Sequence, residues 1–270
     1  MRVLKVHLLF VLFLSAFLCA VADPVPVRHK EGLTRGFLVL RSEDGKIVAH
    51  GDLLQNSHDD EVTTRLVFHF KDGSVYDETT VFLQREQFKL LSDHLVCKGK
   101  SFDSPMESSM NATTGQVEVR YKDKDGTDKV RTEHIDFPAD AANGMVMILL
   151  KNLAPDSVPT SVSMVATQPK VRVVKLKIQS AGQDSFTIAG VPHKARHFVL
   201  KVDIGGLAGA AAHILGKQPP DTDVWILEGE APTFLKSTGP LAAGSPVWQI
   251  ELTSPVWPAE SPASKEEKKK

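Results

Sequence analysis

Three Asp-Gly pairs constrain the fold of this chain more than any other feature: "SEDGKI" at 42–47, "FKDGSV" at 70–75 and "DKDGTD" at 123–128. Glycine reaches positive φ without a Cβ clash and aspartate tolerates it, so Asp-Gly between alternating runs is a strong hairpin signal. The flanks alternate as hairpin strands must. "GFLVLRS" meets "KIVAHGDLLQ" across the first turn, "EVTTRLVFHFK" meets "SVYDETTVFLQ" across the second, and "GQVEVRYKD" meets "KVRTEHIDF" across the third. In "RLVFHF", Leu66, Phe68 and Phe70 fall on one face, Val67 and His69 on the other. Period-two patterning with one apolar face describes a meandering antiparallel sheet that packs on something.

One segment breaks the rhythm. "PADAANGMVMILLKNL", 138–153, is rich in helix formers, with Met145, Ile148, Leu149 and Leu153 at helical spacing. Gly144 weakens it. The spacing predicts a helix near 140–153 whose apolar stripe lies against the concave face of the sheet. "APDSVPTS" then reads as a linker, and a second strand group runs from about 160 to 252. Some fourteen strands with one main helix predict a mainly β fold: a curved antiparallel sheet, or half-barrel.

The ends read differently from the middle. Residues 1–22 have the form of a secretory signal peptide. Arg2 and Lys5 precede the apolar run "LLFVLFLSAFL", and "AVA" supplies small residues before Asp23. The run of 11 residues is short for a bilayer span. The expectation is an exported protein, periplasmic or extracellular, with one β-rich domain over 23–258 that splits near 154–160 into two strand groups. The last residues, 259–270, end in "KEEKKK" and read as a disordered charged tail. The formal charge of −1 becomes −3 without Arg2 and Lys5, which gives no reason to expect a nucleic-acid partner. No apolar run after the signal is long enough to span a membrane. Cys19 leaves with the signal, so Cys97 in "HLVCKG" stands alone and reads as a buried small hydrophobe.

Chemistry-bearing motifs fail one by one. "GGLAGAAAHILGK" within 202–227 is no phosphate loop, because position 211 is Ala and position 218 is Gln. It reads as a close-packed connector, in which Gly206 and Gly209 fit a crowded position. His193 and His197 on a strand lie ~13 Å apart, too far for one metal. His134 and Asp136 lack a third ligand. There is no G-x-S-x-G. No catalytic residue, metal or cofactor is assigned, and a hydrolase is the least favoured reading. "NAT" at 111–113 fits a glycosylation sequon. Trp225, Trp248 and Trp257 cluster late in the chain, as core anchors or as lining of an apolar cavity.

The C-terminal third resembles an uncharacterised group of bacterial exported proteins of unknown function. The residues that carry this are "DTDVWILEGEAPTFLKSTG", with Trp225, Pro232, Phe234 and Leu235, together with "IDFPADAANGMVMILLKNL". The resemblance implies a half-barrel like that of the outer-membrane lipoprotein carriers, with an apolar cavity and no catalytic residue. The resulting expectation is a binding or carrier protein for a lipid or other apolar small molecule. The candidate lining is Phe68, Phe70, Met145, Met147, Ile148, Leu149, Trp225 and Phe234. The alternative is a structural or assembly protein of the cell envelope.

Overall fold

A computed structural model describes residues 24–253, except 124, 159, 189, 204 and 206–218. The chain forms one antiparallel sheet of 14 strands. The first eight are β1 (Thr34–Arg41), β2 (Ile47–His58), β3 (Glu61–Phe70), β4 (Val75–Gln84), β5 (Phe88–Lys98), β6 (Met106–Asn111), β7 (Gln116–Lys122) and β8 (Asp128–His134). Helix α1 (Val146–Asn152) follows, and then β9 (Thr160–Ala166), β10 (Arg172–Ile188), β11 (Val191–Asp203), β12 (Thr222–Leu227), β13 (Thr233–Pro240) and β14 (Val247–Thr253).

The order across the sheet is β8-β7-β6-β5-β4-β3-β2-β1-β14-β13-β12-β11-β10-β9. Each half is a meander of neighbours, and the halves meet where β1 pairs with β14. The three Asp-Gly turns form as their sequence predicts. Gly45, Gly73 and Gly126 have φ of 80°, 84° and 84°. In the second and third turns the aspartate also accepts from a backbone N–H two residues on: Asp72 from Ser74 and Asp125 from Thr127, each at 2.9 Å.

The strands divide differently from their reading in the sequence. β6 comes from "MESSMN", whose polar residues hide it, whereas "VRVVKLKIQS" and "DSFTI" join into the single strand β10. A register shift between Ser180 and Gly182 absorbs the break.

The sheet does not close, but its edges come together. Arg131 on β8 donates to the Pro169 carbonyl oxygen beyond β9 at 2.8 Å. Val165 and Val171 pack with Met110, Val117 and Val119. The crossover from β8 to β9 covers the β9 edge. The Ala142 amide donates to the Ser163 carbonyl at 2.9 Å, and the Asn143 side chain both accepts from the Val165 amide and donates to its carbonyl. An unpaired strand edge is a pairing hazard, and this segment removes part of it.

Those contacts shorten the predicted helix. Residues 140–143 serve the β9 edge, and Gly144 turns with φ 65°, so α1 has only the seven residues Val146–Asn152. It lies on the concave face, where Met145, Ile148, Leu149 and Leu150 pack with Val62, Phe82, Phe88, Ile178, Phe198 and Ile226. Arg196 holds its C-terminal end by donating to the Leu153 and Leu150 carbonyls at 2.7 and 3.4 Å. A guanidinium at exposed helix carbonyls satisfies acceptors that have no partner within the helix.

A second apolar cluster fills another part of the interior. Leu38, Leu40, Phe68, Phe70, Tyr76, Cys97, Phe102 and Trp248 form it. Cys97 is 1% exposed, and burial pushes its thiol up to about 12. The thiol stays protonated and packs as an apolar group.

Candidate functional site

The eight residues expected to line one cavity do not meet in one place. Phe68 and Phe70 belong to the Trp248 cluster. Met145, Ile148 and Leu149 belong to the α1 cluster, with Met147 against its side. Phe234 is half-buried and touches both clusters. Trp225 lies on the opposite, convex face, because its neighbours Val224 and Ile226 point inward. Its indole stacks on the His197 ring at 4.3 Å, its Nε1 donates to Asp184 Oδ2 at 2.6 Å, and Lys236 Nζ sits 4.7 Å from the ring centroid. The 206–218 connector and Trp257 lie outside the described residues.

Between the two clusters runs a belt that no residue of the expected lining marks. The strand register places Gly36, Leu53, Leu66, Glu78, Leu95 and Ser108 side by side across β1 to β6. All point to the concave face, by alternation from the buried Leu38, Phe68 and Tyr76. Leu252 of β14 joins them: a Cβ on Gly36 would stand 3.6 Å from Leu53 Cβ and 3.7 Å from Leu252 Cδ2.

The belt differs from the rows beside it in accessibility. On one side Leu38, Gly51, Phe68, Tyr76 and Cys97 are all buried, and on the other so are Gln55, Thr64, Thr80, Asp93 and Met110. The belt residues Leu53, Leu66, Glu78 and Leu95 each keep accessible surface. Leu252 points inward yet is 41% exposed. Leu53, Leu66 and Leu95 also pack against the neighbouring Trp248 cluster, while Leu252 keeps more solvent-accessible surface.

Polar groups converge on this belt. Tyr76 donates its hydroxyl to Glu78 Oε2 at 2.9 Å, and Thr80 donates to Asp93 Oδ1 at 2.8 Å. Both carboxyls are raised above the ordinary range. For Glu78, desolvation leads and the Asp93 charge adds to it. For Asp93, desolvation leads, opposed by the Thr80 hydrogen bond and by His94. Glu78 keeps partial solvent access yet sits close to Asp93, so the loss of bulk water around the pair explains the direction. Desolvation thus drives both shifts, with the nearby Asp93 charge adding to it at Glu78 and the Thr80 hydrogen bond and His94 working against it at Asp93. Ser108 is 1% exposed, and its Oγ has no hydrogen-bond partner among the described residues.

Two other depressions, of about 590 and about 360 Å³, are open to solvent. The first lies around Val48, Phe70 and Lys71, and the second around Leu54, Arg65 and Asp77, touching the belt only at Leu53. Among the described residues no group of three or more metal-ligating side chains comes together, and no helix is long and apolar enough to cross a membrane.

No family model and no curated protein matches the chain. A solved structure, the β-barrel-like protein of a domain of unknown function (DUF1849) from Brucella abortus, superposes with a TM-score of 0.43 at 11% identity. The alignment covers 88% of this chain and 100% of that one.

Proposed function

We propose that this chain is a non-enzymatic binding or carrier protein for an apolar small molecule or a lipid chain, held in the interior belt. The observation that carries this reading is the row Leu53, Leu66, Leu95 and Leu252. These side chains face the concave side of the sheet and keep accessible surface between two sealed rows. Ligand sites are concave and mostly apolar, with a few convergent polar groups, and here Glu78 and Ser108 supply the polar part. Met145, Ile148 and Leu149 serve as the packed floor rather than the lining, while Phe234, half-buried between the clusters, stands where a ligand could touch it. The signal-like N-terminus supports a site of action outside the cytoplasm.

Gly36 provides the test. Its position has room for a Cβ at ordinary contact distance, and its φ is not in the left-handed region, so Gly36→Phe fills the belt without straining the backbone. Titration with diphenylhexatriene, a neutral apolar fluorophore, is expected to saturate at one site in the wild-type protein. Gly36→Phe is expected to abolish that binding while the urea midpoint stays unchanged. Absence of saturable binding, or binding indifferent to Gly36→Phe, overturns the reading.

A further inference from the structure

We infer, building on the belt as a ligand site, that the bound molecule is a cationic amphiphile, a single alkyl chain ending in an ammonium group, with Glu78 and Asp93 receiving that group. The alkyl chain lies along Leu53, Leu66 and Leu95. The ammonium faces Glu78 Oε1, the oxygen that Tyr76 does not occupy.

Charge complementarity carries this choice. Among the described residues neither carboxyl forms an ion pair with a Lys, Arg or His. The groups facing Glu78 are Tyr76 on its own strand and Asp93 and Cys97 on β5. Leu66 faces it from β3, and the turn at Gly144 packs against Thr80 and Asp93. None of these is cationic. Two carboxyls in an apolar interior without a counter-charge are costly, and removing the cost requires a proton or a cation. An ammonium supplies the cation and three donors. A carboxylate or phosphate headgroup meets like charge instead.

A second observation, independent of the acid pair, points the same way. The Ser108 hydroxyl lies on the same concave row, 1% exposed and unpartnered. A buried hydroxyl without a partner loses the hydrogen bonds it had in water, and a polar headgroup in the belt restores one.

Displacement of diphenylhexatriene by dodecylamine, dodecanol and dodecanoate at pH 7, below their aggregation concentrations, separates the possibilities. Dodecylamine is expected to displace the probe at a concentration lower than dodecanoate by about tenfold or more. Glu78→Gln is expected to abolish most of that preference, read from the dodecylamine-to-dodecanoate ratio. Asp93→Asn is the second variant, with the same direction and a smaller effect. Equal displacement by dodecanoate and dodecylamine in the wild-type protein overturns the inference and leaves the apolar site standing. So does a preference that survives both variants. Failure of the probe itself to bind overturns the site and the inference together.

Discussion

The two stretches of concave face on either side of the Thr80–Asp93 contact are built from the same material and end differently. Toward α1, inward side chains of β3, β4, β5, β10, β11 and β12 close on the helix, and Leu150 is 0% exposed. Along the belt, leucines from β2, β3 and β5 point inward in the same alternation and remain accessible. Propensity and patterning are the same in both. The difference is that a seven-residue helix fills one stretch and nothing in the described chain fills the other. An apolar surface of a curved sheet is core or binding site according to what the chain supplies to cover it.

That contrast can be broken by mutation. Leu150→Ala removes a sealed side chain and is expected to cost about 3 kcal/mol in urea unfolding, against about 1 kcal/mol or less for Leu66→Ala. Equal costs would mean that the belt is core after all. Gly144→Ala comes next, at about 2 kcal/mol or more. The residue would have to keep φ 65°, and its Cβ would collide with Thr80 Oγ1, so the turn that seats α1 must move.

Glu78→Gln sharpens the electrostatic side of the contrast. A carboxyl whose folded-state value is raised binds more protons when folded than when unfolded, so its contribution to stability falls as pH rises. The window runs from the ordinary value of 4.5 to about 8. The variant is expected to be more stable than wild type by about 1 to 2 kcal/mol at pH 9, with the difference fading by pH 5. A difference independent of pH would place Glu78 in water. The smallest effect is expected at Trp225→Ala, about 1 kcal/mol from lost stacking on His197, with unchanged probe binding because the indole sits on the convex face.

Much of the fold was legible because hairpins are local. Asp-Gly turns and the alternation of Leu66, Phe68 and Phe70 depend on neighbours in sequence. The helix was read too long because edge pairing by Asn143 with Val165 spans 22 residues and leaves no periodic trace. Trp225 was placed inside because every residue of "VWIL" is apolar, so alternation cannot choose a face. The belt could not be read at all, since it exists only in the combined register of seven strands. One member did carry a signal: in "VYDETTVF" the face bearing Tyr76 and Phe82 also carries Glu78, a charge on an apolar face.

The pairing of β1 with β14 sets the order of assembly. Phe37 and Thr253 are partners although 216 residues separate them, whereas the other strand pairs join consecutive strands. Contacts that close short loops form fast and those that close long ones form slowly. Each meander can therefore zip up by itself from its turns, and the central seam is expected to be the late, slow event in refolding. Weakening the seam at Leu40 or Ile250 should slow the final phase and leave the early hairpin signals in place. Until the seam forms, two half-sheets would each expose a bare edge strand to solution.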